Sequence, residues 1–207
     1  ARLTQDEAMV EVATIPDRWE VARSYFVLGV EHILEGYDHL LFVISLVLLI
    51  GRTGAVIKAA TAFTVAHSIT LIGSTLGIVG LAQAPVEALV ALSIIFLAVE
   101  IVKRDPANPS LTERLPWLVA FLFGLIHGFG FAGALREIGL PESDVPTALL
   151  TFNLGVEAGQ LVIIAAVMVL IALTRRFAPR ALPPATLTAT YLIGTISSFW
   201  FIERIWP

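Results

Sequence analysis

The sequence predicts an all-α integral membrane protein, a bundle of about six transmembrane helices with a polar histidine and carboxylate centre. Three observations predict it. The 207 residues are 57% hydrophobic and only 14% charged, where a soluble domain would carry about 25% charge. Several apolar runs reach about 20 residues, the length needed to cross a hydrocarbon core. All four histidines, His32, His39, His67 and His127, sit inside those runs, and ionisable groups at membrane depth are costly and usually face a bundle interior or a cavity.

Taken in order, the first span runs over 24–50, the second over 57–80 and the third over 84–103. The fourth covers 115–136, the fifth 146–173 and the sixth 184–204. Pro85, Pro116, Pro146 and Pro184 stand at or near the starts of spans three to six, where the missing N–H of proline costs nothing. Short connections favour antiparallel neighbours. Gly73, Gly77, Gly124, Gly128 and Gly130 would allow close helix approach. Two regions follow: a polar extramembrane arm at 1–23 and a transmembrane domain at 24–207.

Lysine and arginine set the orientation. Arg52, Lys58, Lys103, Arg104, Arg114, Arg175, Arg176 and Arg180 follow spans one, three and five, against Arg2, Arg18, Arg23, Arg136 and Arg204 on the other side. The first set belongs in the cytoplasm. Both termini then lie outside, in the periplasm if the membrane is a bacterial inner membrane. A processed start at Ala1 fits that topology. No basic stripe suits a nucleic acid. The absence of cysteine excludes disulfides and thiolate metal sites.

The polar residues inside the spans carry the chemistry. On a continuous helix His32, Glu35, Gly36 and His39 form one stripe, with Glu31 and Asp38 beside it. Imidazole plus carboxylate suits nickel, cobalt, zinc or copper(II), and a carboxylate can also orient a ligating imidazole through its other N–H. Span two adds Thr64, His67, Thr70 and Ser74. Span four adds His127 between Gly124 and Gly130. Span five adds Asn153, Glu157 and Gln160 at i, i+4 and i+7. A helical rise of ~1.5 Å per residue puts His32 about 10 Å and His39 about 20 Å below the outer surface, with His67, His127 and Glu157 near the midplane.

Interhelical glue is the plain alternative, each such bond being worth ~0.6 kcal/mol. It accounts well for Thr64, Thr70 and Ser74, since Ser and Thr commonly bond their own helix. It accounts poorly for four histidines with Asp38 and Glu157 at compatible depths. Phe63, Phe121, Phe123, Phe129 and Phe131 read as packing and lipid contacts, and Glu87 and Glu100, near span ends, as structural.

The stretch His32-x5-Asp38-His39 resembles the signature of the HupE/UreJ family of membrane proteins. FTVAHSITL, FGLIHGFGFAGAL and FNLGVEAGQ resemble its other polar segments, over roughly residues 25–165. The resemblance implies a secondary permease for nickel or cobalt, often linked to hydrogenase or urease maturation, with His32, Asp38 and His39 implicated in uptake. The His127 segment departs from the family pattern. It reads HGFGFAG, without the expected second histidine and following glutamate, which marks a divergent branch.

A transition-metal permease is therefore the favoured reading. Its metal ligands would be His32, Asp38, His39, His67, His127 and Glu157, supported by Glu31, Glu35, Thr64, Thr70, Asn153 and Gln160. Nickel is the favoured ion, with cobalt, copper and zinc as alternatives. An intramembrane metalloenzyme using three histidines and a carboxylate comes second, and a haem-binding subunit last. The expected partners are the metal ion and the lipid bilayer. A homo-oligomer or a metallochaperone partner stays open.

Overall fold

The computed structural model describes residues 17–105, 107–138 and 144–206. Most of the predicted arm lies outside them. Every regular element among the described residues is helical: α1 (Arg18–Glu35), α2 (Tyr37–Ile50), α3 (Thr53–Thr75), α4 (Gln83–Val102), the short α5 (Leu111–Arg114), α6 (Pro116–Ile138), α7 (Val145–Phe177) and α8 (Leu182–Ile205). A single 3-10 turn, Pro179–Ala181, links the last two. The protein is an all-α integral membrane bundle. Four helices, α3, α4, α7 and α8 (the last with its preceding turn), are long and apolar enough to cross a bilayer, and α1 with α2 makes a fifth crossing if the bent pair is one span. Within α6, Pro116–Phe131 is apolar.

The expected first span is where sequence and structure differ most. Instead of one helix there are two, bent by 72°. Gly36 is the break. Its backbone is extended (φ −74°, ψ 93°), its N–H still bonds His32 O at 3.0 Å, and its carbonyl already accepts from Leu40 N at 2.9 Å. It closes one helix and opens the next. A Cβ at this position would lie 2.5 Å from His32 O and 3.0 Å from His39 Nδ1, so any side chain here would force its neighbours to shift. The helical stripe expected from His32 to His39 is thus not a stripe. Further differences are small. α1 starts at Arg18, within the predicted arm, and α3 ends at Thr75 because Gly77 turns left-handed at φ 73°.

Close partners are not neighbours in sequence. α3 lies along α6, α1 along α7 and α4 along α8, with α2 between α4 and α7. Glycine makes two of these contacts intimate. Gly29 of α1 abuts the Phe152 backbone, and Gly155 and Gly159 of α7 abut Phe26, Val30 and Ile33. Gly124 and Gly128 of α6 abut Phe63, Ala66 and His67 of α3. Gly73 and Gly77, expected to act likewise, meet open space. Two apolar clusters fill the bundle, one around Ile33, Val47, Phe152 and Ile164, the other around Phe42, Phe63, Ile94 and Leu97.

Candidate metal centre

The kink at Gly36 builds the site. An unbroken helix would hold His32 and His39 about 10 Å apart along its axis, seven residues at the usual rise. With the chain bent, their ring centroids are 4.5 Å apart. The glycine-mediated contact of α3 with α6 brings in the other two histidines. His67 lies 6.0 Å from His32 and 6.1 Å from His39, and His127 lies 5.1 Å from His39, ring to ring. His39, His67 and His127 are buried, and His32 is half-buried.

Hydrogen bonds decide which nitrogen is free in three of the four rings. His39 Nδ1 lies 2.9 Å from Asp38 Oδ1, and a carboxylate only accepts, so Nδ1 carries the hydrogen. Asn153 donates its amide N–H to Leu149 O at 2.8 Å, which turns its Oδ1 toward His67 Nδ1 at 3.3 Å. His67 therefore donates from Nδ1. Ser93 spends its hydroxyl hydrogen on Val90 O at 2.6 Å, so its oxygen accepts from His127 Nε2 at 3.0 Å. The opposite nitrogens, His39 Nε2, His67 Nε2 and His127 Nδ1, are buried without a hydrogen-bond partner, as is His32 Nε2.

A buried polar atom without a partner is costly. Three such lone pairs, with the unpartnered His32 Nε2 beside them, suit a cation better than a packed core. His32, His39 and His67 each offer a ligand atom, all three within 4.8 Å of one another. Three nitrogens bound to one ion at about 2.1 Å stand about 3–3.5 Å apart, so small side-chain rotations would close them on a metal. The three partners Asp38, Asn153 and Ser93 hold tautomer and ring angle as outer-shell groups do in metalloproteins.

The remaining sequence-predicted residues divide clearly. Asp38 reaches the cluster through His39, its Oδ1 also accepting His39 N–H at 2.8 Å. Glu157 accepts from Thr61 Oγ1 at 2.6 Å, with its other oxygen buried and unpartnered. It is not one of the three residues grouped around the imidazole nitrogens. Gln160 Oε1 lies 3.0 Å from Thr64 Oγ1. With Asn153–His67, these bonds form a polar ladder between α3 and α7, leading away from the histidines. Thr70 bonds the carbonyls of Ala66 and His67 in its own helix. Glu31 and Glu35 are exposed, and neither faces the cluster or its cavity.

A cavity of about 190 Å³ opens onto the histidines. His32, His39, His127 and Asp38 line it, and Gln83, Glu87 and Arg204 stand with them. Arg204 Nε bonds Glu87 Oε2 at 3.1 Å, and Gln83 Nε2 bonds both Glu87 Oε1 (3.0 Å) and the Gly130 carbonyl (2.7 Å). This bridge joins α4, α6 and α8. Phenylalanines enclose the imidazoles: Phe131 lies 3.9 Å from the His32 ring, Phe63 stacks on His67 at 6.0 Å, and Phe42 lies 5.1 Å from His127. Sequence reasoning passed over Ser93 and Gln83, used Arg204 only to set orientation, and took Glu87, Phe63 and Phe131 as structural or packing residues. Only the isolated polarity of Ser93 in an apolar helix and of Gln83 and Glu87 one turn apart hinted at them.

The family model described as HupE / UreJ protein matches residues 5–204 of the chain. No curated protein and no solved structure matches it.

Proposed function

Because the chain belongs to the HupE/UreJ family, we propose that it is a secondary permease for a divalent transition metal, with nickel or cobalt as substrate. One observation carries the reading: three histidines from α1, α2 and α3 offer ligand atoms within 4.8 Å of one another, on rings whose Nε2 atoms are buried and unpartnered. The ion reaches the cavity beside Glu87 and Arg204 and meets His32 and His39 together. His67 lies behind them and completes the triad, and His127 serves as an exchange ligand beside His39. Asp38 and Asn153 keep the ligating lone pairs aimed inward. Beyond His67 the α3–α7 ladder, with Glu157, continues the polar route toward the other face. The bias of lysine and arginine toward the opposite ends of the spans supports an orientation with the cavity on the outer side, in what would be a bacterial inner membrane.

Transport requires reversible binding, and neutral imidazole is a moderate ligand for such ions. The test is uptake of nickel and cobalt into proteoliposomes by the wild type and by His39→Ala. Uptake should fall by at least tenfold in the variant, the usual cost of losing a ligand or its support. Undiminished uptake would remove His39 from the path.

A second reading has one observation in its favour. A preformed triad with one side open to a cavity is also how a catalytic metal is held, which suits an intramembrane metalloenzyme. Elemental analysis separates the two. A permease loses its ion during purification, whereas an enzyme retains about one per chain.

A further inference from the structure

α7 and α8 are consecutive, separated only by the turn Pro179–Ala181, yet they barely touch along their lengths. α8 lies along α4 and α7 along α1. The splayed hairpin leaves a cleft of about 310 Å³ at the end of the bundle where α2 and α4 finish. Leu48, Met168, Ile171 and Leu182 give it apolar walls, and Thr186, with Arg104 and Arg175 near the ends of α4 and α7, supplies its polar lining. Arg104 also borders a second cavity, of about 420 Å³, that carries Arg52 and Arg114. Four guanidiniums thus gather at one end of the molecule. Glu113 forms an ion pair with Arg104 Nε at 2.8 Å, which offsets part of its charge and uses one of the five N–H donors an arginine carries.

A bilayer leaves no such cleft empty. Whatever fills it must match hydrocarbon walls below and guanidiniums above. Water solvates the guanidiniums but not the hydrocarbon walls, and a soluble anion fits only the rim. We infer that the α7–α8 cleft seats one anionic phospholipid, an acyl chain between the helices and its phosphodiester against Arg104 and Arg175. Arginine recognises phosphate through paired N–H donors, and basic pockets between transmembrane helices are a known kind of headgroup site. The inference does not depend on the metal reading, since the cleft shares no residue with the histidine cavity.

Native mass spectrometry of the full chain in detergent tests it, with phosphatidylglycerol and phosphatidylcholine of identical acyl chains as probes and inorganic phosphate as competitor. Wild type should retain one phosphatidylglycerol, preferred by about 10- to 30-fold for two arginines at headgroup level. The double variant Arg104→Gln, Arg175→Gln should lose the preference while still holding either lipid weakly. Ala172→Phe fills the cleft from an exposed position of α7 without changing charge, and should lose both lipids. Circular dichroism confirms that each variant is folded; if Ala172→Phe is not, Thr186→Leu on the facing wall replaces it. Equal retention of the two lipids by wild type would overturn the proposal. So would displacement of phosphatidylglycerol by inorganic phosphate with no effect of Ala172→Phe, which would make the rim a site for a free anion.

Discussion

Asn153 does for His67 what Asp38 does for His39, but without a charge. Its amide is pinned by Leu149 O, so only its oxygen can face the ring. Asn153→Leu keeps the branching and the number of heavy atoms and removes that acceptor. His67 would then be free to take the other tautomer, hiding the lone pair that faces His32 and His39. Metal affinity should fall about 10- to 100-fold, the usual effect of deleting such a partner, while the fold holds. Titration calorimetry in detergent checks this, and unchanged affinity would mean that His67 does not bind the ion. Each histidine was legible in the sequence because an imidazole in an apolar run is costly. Their partners were less so. Asn153 shared a polar stripe and could be named in advance. Ser93 could not, because a lone serine in an apolar helix ordinarily bonds its own backbone. Ser93 does that with Val90 and still accepts from His127. Glu31 and Glu35 were named from helical spacing, which ceases to apply at the break that follows them.

The break itself was hidden for a related reason. A single glycine inside a helical pattern is usually tolerated, and nothing else around Gly36 signals an interruption: there is no proline, and the apolar run resumes at Leu40. What fixes the bend is tertiary. α1 is held against α7 through Gly29, Gly155 and Gly159, while α2 lies between α4 and α7. Both halves touch α7, but α2 also packs on α4, and Gly36 absorbs the mismatch. Gly36→Ala should therefore injure the site more than the bundle. Its Cβ would press on His32 O and His39 Nδ1, spreading the two imidazoles, at a strain of about 1–3 kcal/mol typical of overpacking. Expected outcomes are a modest drop in melting temperature and a loss of at least tenfold in metal affinity. Gly29→Ala is the contrasting variant. Its Cβ collides with the Phe152 backbone, so stability should fall first. If Gly36→Ala binds metal normally, the bend does not control the spacing of the histidines.

At the scale of the whole molecule, helices distant in sequence meet around the cavity. Glu87 and Arg204 are 117 residues apart and pair at 3.1 Å beside the histidines. No spacing rule links them, which is why sequence reasoning gave Glu87 a structural role and Arg204 a topological one. The pair leaves the mouth of the cavity near neutral, and each half removed should leave a charge of known sign. Glu87→Gln uncovers the Arg204 cation, which repels an incoming metal ion. Arg204→Gln uncovers the Glu87 carboxylate, which attracts it. Charge at a narrow mouth acts mainly on arrival rates, so initial uptake should slow by about 3- to 10-fold in the first variant and should not slow in the second. The Debye length shrinks from about 30 Å at 0.01 M to about 3 Å at 1 M salt, so high ionic strength should bring the two variants together. Initial rates in proteoliposomes at low and high salt decide the matter. Should both substitutions slow uptake alike, and independently of salt, the pair is a strut between α4 and α8 and its charge plays no part in admitting the ion.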